Sequence, residues 1–138
     1  MARKRCVARF PKLKHLHLAI SILKRMYPED PIELVDRGAL ESAISMARHV
    51  FRSWRGSCLD RKVAAGVRLF YEIIQLHPLV DGNKRLATLL LGAYLIVNGL
   101  TTKRAYLKEL AIKVARGELD FEGAVRWLRD RVKRKRGS

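Results

Sequence analysis

Apolar residues recur every three or four positions along almost the whole chain. This spacing places them on one face of an α-helix, whereas a half-buried strand would alternate apolar and polar residues, and no stretch of useful length does so. The sequence therefore predicts an all-α fold. Proline, glycine and capping residues divide the pattern into six helices at about 12–27, 38–54, 60–77, 83–98, 102–117 and 120–132.

The ends of these helices carry recognisable signals. Pro28 and Pro31 interrupt the helical pattern after the first helix, and the loop near 30–37 is predicted to form a short extended flap, centred on residues 32–37. Short polar side chains stand where later helices should begin, and each could accept a hydrogen bond from a first-turn amide. These predicted caps are Asp60, Asn83, Thr102 and Asp120.

The fourth predicted helix follows two closely spaced breaks. Pro78 disfavours helical geometry at the residue before it, so the third helix must end at His77, and Gly82 breaks the chain again. The helix that follows is apolar nearly all round, which predicts a central position in the bundle. Gly99 suits the left-handed end of such a helix.

The first turn of this fourth helix carries two cations, Lys84 and Arg85. Cations are unfavourable there because the helix dipole is already positive, and each costs a few tenths to about 1 kcal/mol unless an anion binds. Free amides, a glycine at position 82 and two cations together describe a phosphate site. A purely structural alternative is that Asp81 pairs with Arg85, although surface pairs of this kind contribute little. Asp81 could instead hold Mg²⁺, which takes one or two carboxylates and completes its shell with phosphate and water.

His77 has two interpretations. It lies in line with Phe70 and Ile73 and could be an ordinary half-buried histidine at a helix end. Next to a phosphate site it could instead accept the proton of an attacking hydroxyl, since an imidazole ordinarily titrates near pH 6.5. The chain lacks the glycine spacing of a P-loop and a zinc motif of the HExxH type. His15 and His17 cannot share a helix face and are interpreted as surface residues.

The charge of the chain favours polyanionic partners. Twenty-nine Lys and Arg against thirteen Asp and Glu give a net charge of +16 over 138 residues, a length that fits one domain spanning 1–138. Positive charge is densest in two tails, at about 1–11 and 129–138. A non-enzymatic alternative is therefore a nucleic-acid or ribosome-binding module that uses these tails.

The cysteine content bears on the compartment. Only Cys6 and Cys58 occur, without a CxxC pair or an export signal, which argues against a disulfide framework or a cysteine zinc site and predicts a cytoplasmic protein. The longest apolar run, Leu86–Val97, is too short to cross a bilayer, so no membrane association is expected. One Gln and two Asn among plentiful Lys, Arg and Glu favour a thermophilic source.

Residues 77–85, His-Pro-Leu-Val-Asp-Gly-Asn-Lys-Arg, resemble the signature of the Fic/Doc superfamily, His-x-Phe-x-Asp/Glu-Gly/Ala-Asn-Gly/Lys-Arg. The similarity is closest to the death-on-curing, or Doc, branch and extends to residues 38–44 and 98–100. It implies a helical bundle with the active-site loop between the third and fourth helices, and ATP with Mg²⁺ as co-substrate and cofactor. By the same resemblance His77 activates a Ser, Thr or Tyr hydroxyl of a target protein and Asp81 helps to place magnesium. The residues that would bind the nucleotide phosphates are Gly82, Asn83, Lys84 and Arg85.

Lys84 determines which reaction the resemblance implies. Adenylylating members usually carry Gly at this position, whereas Doc-like members carry Lys and present the γ-phosphate, which makes them protein kinases. The chain is therefore expected to be a Doc-like toxin kinase acting on a cytosolic protein, for example a translation factor, with AMP transfer as the alternative reaction.

Two departures from the family pattern bear on activity and control. Leu79 replaces the signature Phe, a conservative change if this side chain only anchors the loop in the core. The self-inhibitory motif Ser/Thr-x-x-x-Glu-Gly/Asn is incomplete, because Glu118 stands where Glu122-Gly123 would require a hydroxyl residue. The resemblance then implies a separate antitoxin protein that covers the nucleotide site.

Overall fold

The computed structural model describes residues 5–135, which form six α-helices and one short two-stranded ribbon. The all-α prediction is confirmed. The parts of the predicted basic tails at 1–4 and 136–138 lie outside the described residues. None of the helices within 5–135 is both long enough and apolar enough to cross a membrane. The elements are α1 Leu13–Met26, α2 Arg37–Ser53, α3 Cys58–Leu76, α4 Asn83–Val97, β1 Leu100–Thr101, α5 Arg104–Ala115, α6 Phe121–Arg129 and β2 Lys133–Arg134.

Helix α3 is the most enclosed element, because α2, α4, α5 and α6 all pack against it. Ten of its nineteen residues are buried, including Val63, Phe70 and Ile73. Helix α4 packs between α1, α3 and α5, as its apolar sequence predicts, but it is not enclosed on every side. Ile96 and Val97 remain more than half exposed, so one apolar side of α4 is open to solvent.

The crossing of α3 and α4 depends on one glycine. A Cβ atom at Gly66 would lie 2.5 Å from the Tyr94 ring, which is far inside van der Waals contact. The ring is held in place because the buried Tyr94 hydroxyl donates a 2.7 Å hydrogen bond to the Lys62 carbonyl. Burial also raises the pKa of the Tyr94 phenol, so this hydroxyl remains a donor across the ordinary pH range.

Three of the four predicted helix caps are wrong, each by one to three residues. Helix α3 is capped by Ser57, and Asp60 is the third helical residue of that capping box, where its carboxylate accepts from the Ser57 amide. Gly82 precedes α4, so Asn83 is the first helical residue. Helix α5 follows Lys103 rather than Thr102. Asp120 caps α6 as predicted and accepts from the amide of Gly123.

After α6, the described residues 130–135 fold back and pair with the segment that follows α4. Lys133 and Arg134 pair antiparallel with Thr101 and Leu100 to form the ribbon β1–β2. The Thr102 hydroxyl, which would otherwise have been free to cap α5, donates to the carbonyl of Arg131 at 2.8 Å. Both interactions tie the C-terminal segment to the end of α4.

The sequence-based argument against disulfide bonding is wrong, because Cys6 and Cys58 form a disulfide. This bond attaches the N-terminal segment to the start of α3. Asn98 holds the same segment by accepting from the Arg9 amide at 2.8 Å and donating to the Arg9 carbonyl at 3.0 Å. Phe10 then packs against Phe51 and Tyr94. The N-terminal segment is therefore part of the packed structure.

Candidate active-site loop

The loop 77–82 between α3 and α4 is held from the outside by the predicted flap, which is confirmed as an extended segment. Leu34 in the flap forms an antiparallel β-bridge with Leu79. Val35 donates a 2.8 Å hydrogen bond to the Pro78 carbonyl, and Val80 donates one of 2.9 Å to the Glu33 carbonyl. Because these bonds involve only main-chain groups, the flap fixes the path of the loop whatever the side chains are.

Two residues anchor the loop from the inside. Leu79 is only 2% exposed, so the prediction that this side chain fills the core in place of the signature Phe is confirmed. The Asn83 side chain accepts from the Leu79 amide and donates to the Leu79 carbonyl, both at 2.9 Å. Asn83 thus closes the loop by bonding both main-chain polar groups of Leu79. Gly82 has φ +91°, and a Cβ there would press on the buried Ile32 at 3.3 Å.

His77 is exposed, and its backbone has the left-handed values φ 49° and ψ 61° that end α3. The half-buried interpretation is therefore wrong. Among residues 5–135 it is the one non-glycine residue with a positive φ, a conformation that costs an L-residue about 1–2 kcal/mol. Its Nδ1 lies 3.5 Å from the side-chain nitrogen Nδ2 of Asn83, at the outer limit of a hydrogen bond. That contact orients the imidazole without fixing which nitrogen carries the proton.

Asp81 lies four residues after His77, and its side chain is exposed. One of its carboxylate oxygens, Oδ1, accepts a 2.8 Å hydrogen bond from the Gly82 amide. Its second oxygen has no partner within the described residues. No group of three or more His, Cys, Asp or Glu side chains in 5–135 could hold a metal by itself. One free carboxylate oxygen beside a phosphate site nevertheless fits Mg²⁺, which takes its other ligands from phosphate and water.

The N-terminus of α4 has the properties of an anion site. Within residues 5–135 the amides of Asn83, Lys84 and Arg85 have no protein acceptor, and the first amide of this turn to find one is that of Leu86, which donates to Gly82. No acidic side chain lies in this turn. Lys84 is exposed, and no partner for it is found in the described part of the chain. Free amides at the positive end of a helix bind anions, and a cation beside them strengthens the binding.

Arg85 forms a contact that the sequence did not predict. Its Nη1 donates to the Asp30 carboxylate at 2.5 Å, and its guanidinium lies 3.8 Å from the centre of the Tyr27 ring. The expected alternative of an Asp81–Arg85 pair is not what the structure contains. The Asp30 carboxylate raises the pKa of the Arg85 guanidinium above its usual value. With one edge on Asp30 and one face on Tyr27, the guanidinium still has donors left for an anion.

A groove of about 820 Å³ begins at Lys84 and Arg85 and runs along the open side of α4, between α1 and α5. Its floor and walls are mostly apolar, and Arg104 and Lys108 line its other part. The groove joins the anion site to the exposed apolar side of the bundle. Its apolar lining includes Leu23, Met26, Leu89, Leu95, Ile96, Leu107 and Ile112.

The structure brings together all six predicted site residues in one loop and the first turn of α4: His77, Asp81, Gly82, Asn83, Lys84 and Arg85. The sequence did not predict that Asp30 and Tyr27 belong to the site. Both contact Arg85, although they lie 55 or more positions before it in the chain. No local pattern marks them, because neither belongs to a motif. His15 is exposed, as expected, and its Nδ1 accepts from the Lys12 amide, while His17 is half-buried.

Comparison with known proteins gives one positive finding. The model of the Fic/DOC family matches residues 11–95, from just before α1 to near the end of α4. The match therefore includes the flap, the loop 77–82 and the anion site, and it stops before α5 and α6. No protein with a curated description matches the chain.

Proposed function

The chain belongs to the Fic/DOC family, whose members are transferases that use ATP, and on that premise we propose that it is a Doc-like protein kinase. The proposed reaction transfers the γ-phosphate of ATP to a Ser, Thr or Tyr hydroxyl of a cytosolic protein, for example a translation factor. The observation that carries this choice is Lys84. It puts a long cationic side chain in the first turn of α4, at the position where, by the family pattern, a glycine leaves room for a nucleotide bound in the opposite direction.

The proposed roles follow from the geometry of the loop. The free amides of α4 with Lys84 and Arg85 hold the phosphates, and Asn83 keeps the loop closed around them. The free oxygen of Asp81 and the phosphates would hold Mg²⁺, which neutralises charge on the phosphates when bound. The exposed imidazole of His77 accepts the hydroxyl proton as the hydroxyl oxygen bonds to the γ-phosphorus. The bond from that phosphorus to the bridging oxygen breaks, and ADP leaves.

Transfer of AMP is the alternative reaction, and isotope position separates the two. The full-length protein is incubated with a cell extract and ATP labelled at either the γ- or the α-phosphate. Label incorporated only from the γ-position supports the kinase, and label only from the α-position replaces it with an adenylyltransferase. His77→Ala should lose all labelling, and Lys84→Gln should lose most γ-transfer while the protein stays folded.

The groove beside the anion site supports a second part of the proposal, a separate antitoxin. Large apolar side chains of α1, α4 and α5 are exposed along it, including Met26, Ile96 and Ile112. These exposed apolar side chains suit the apolar face of an amphipathic helix. The cations along the groove favour acidic residues on that helix. A partner seated there would reach Lys84 and Arg85 and compete with ATP. Co-expression with the adjacent open reading frame, followed by ATP-competition binding, tests this.

The proposed location is the cytoplasm, and the disulfide is compatible with it. Disulfides are rare in the cytoplasm of most organisms, but intracellular proteins of hyperthermophiles are often disulfide-rich. The scarcity of Gln and Asn in this chain points to such a source.

A further inference from the structure

Both ends of the described chain meet at the C-terminal end of α4. The Arg9 main chain bonds the Asn98 side chain from one direction, and the Lys135 amide donates to the Gly99 carbonyl at 2.9 Å from another. The pairing of β1 with β2 adds a second connection to the C-terminal segment. Two regions that the sequence shows as separate basic tails are therefore parts of one surface.

This surface carries cations and no acids. The three segments that form it are 5–12, 99–104 and 131–135, and none contains Asp or Glu. We call seven of their exposed cations the basic pole. None of these side chains forms an ion pair with another residue of 5–135. The basic pole consists of Arg5, Arg9, Lys12, Lys103, Arg104, Lys133 and Arg134.

The helix dipole does not account for so many charges. The C-terminus of a helix carries roughly half a negative charge and is satisfied by one or two cations. Lys62 already does this, because its Nζ donates to the Asn98 carbonyl at 3.2 Å. Nearby acids do not neutralise these cations either. Asp60 is paired with Arg129, and Asp130 carries only one negative charge against seven positive ones. The seven cations of the basic pole thus repel one another in the free protein.

The basic pole is distinct from the anion site at the start of α4. The two lie at opposite ends of a fifteen-residue helix, and a rise of 1.5 Å per residue separates them by about 22 Å. We infer that the basic pole binds the phosphodiester backbone of nucleic acid. A polyanion relieves the repulsion and releases its condensed counterions, and a surface without acids imposes no penalty on an approaching phosphate. This function does not depend on the reaction performed at His77.

Two variants with the same net charge test the location. Arg9→Gln/Lys133→Gln/Arg134→Gln removes three charges from the basic pole and keeps the main-chain bonds. Lys24→Gln/Arg25→Gln/Arg37→Gln removes three exposed charges near the other end of α4. Binding of the full-length proteins to labelled single-stranded RNA and DNA of about 20 nucleotides is followed by fluorescence anisotropy over a range of salt. Equal circular dichroism melting curves establish that the variants are folded.

We expect the basic-pole variant to bind about fiftyfold more weakly at about 0.15 M salt, with the salt slope reduced by about two, and the control to change little. Equal weakening of both variants, or of neither, overturns the inference. Equal affinity for RNA and DNA identifies the phosphodiester backbone as the ligand. A higher affinity for RNA assigns a further role to the 2′-hydroxyl. Equally tight binding of polyglutamate overturns nucleic acid as the partner.

A second measurement needs no variant. Wild-type protein is photo-cross-linked to RNA that contains 4-thiouridine, and the attached peptides are identified by mass spectrometry. Cross-links within 5–12, 99–104 and 131–135 support the basic pole. Cross-links centred on Lys84 and Arg85 would instead show that RNA binds at the anion site, and the inference would be wrong.

Discussion

His77 combines an exposed side chain with a backbone that most side chains avoid. Its left-handed conformation ends α3 and turns the chain into the loop, where the flap and Asn83 then hold it. Glycine would adopt the same conformation at lower cost. Strain of this kind persists where the surroundings over-determine it, and it is concentrated at functional sites. We therefore attribute the histidine at this position to the proposed role of its imidazole as the base.

A pair of substitutions separates stability from activity at His77. His77→Gly relieves the left-handed strain and should raise the free energy of unfolding by about 1 kcal/mol, whereas His77→Ala keeps the strain and should leave it nearly unchanged. Both should abolish phosphate transfer. Urea unfolding and the labelling assay give the two readouts. A glycine variant that is both less stable and active would contradict this view of the position.

Asp30 is expected to act on ATP binding through Arg85. The pair is partly exposed and contributes little to stability, but it holds one edge of the guanidinium while Tyr27 holds its face. Asp30→Asn should therefore raise the KM for ATP several-fold, to about tenfold, with kcat and the melting temperature nearly unchanged. Glu29→Gln, which removes a neighbouring exposed carboxylate, is the matched control. A lower KM in Asp30→Asn would mean that Asp30 competes with phosphate for Arg85.

At the scale of the elements, the sequence predicted what depends on local pattern. Six helices, the break at His77 and the extended flap follow from periodicity and from proline and glycine positions. The errors at two predicted caps occur because the side chain forms its hydrogen bonds elsewhere. Thr102 does not cap α5 because its hydroxyl bonds Arg131, and Asn83 does not cap α4 because its side chain bonds Leu79. The two-residue strands of the ribbon are too short to show any alternation.

The crossing of α3 and α4 offers a test of packing against helix propensity. Gly66→Ala gains up to about 1 kcal/mol of propensity but drives a methyl group into the fixed Tyr94 ring, and overpacking of this kind costs about 1–3 kcal/mol. We expect a net loss of stability. Gly92→Ala makes the same exchange on α4, where the new Cβ would meet only Leu107 at an ordinary 3.4 Å, and should be neutral or stabilising. Chemical unfolding of both variants measures the difference, and equal effects would contradict the proposed steric role of Gly66.

For the molecule as a whole, the site was more predictable than its surroundings. The six site residues are contiguous or nearly so, so a local motif contains them all, and the structure only adds Asp30 and Tyr27. The joining of the two basic tails could not be predicted, because it depends on Asn98 and on the ribbon, which connect residues far apart in the chain. The disulfide was missed for the same reason. Two cysteines without a motif give no sign that packing will bring them together.

The disulfide should contribute much of the stability of the folded chain. Cys6 and Cys58 are 52 positions apart, and closing a loop of that length lowers the entropy of the unfolded chain by an amount worth about 4 kcal/mol. Cys6→Ser/Cys58→Ser should lose most of this free energy of unfolding, and wild-type protein in dithiothreitol should match the variant. The bond lies at the end of α3 opposite the loop 77–82, so the labelling activity of the folded variant should be retained. A melting temperature that is unchanged by reduction would show that the Asn98 and Phe10 contacts hold the N-terminal segment without the disulfide, and the loop-closure argument would fail for this chain.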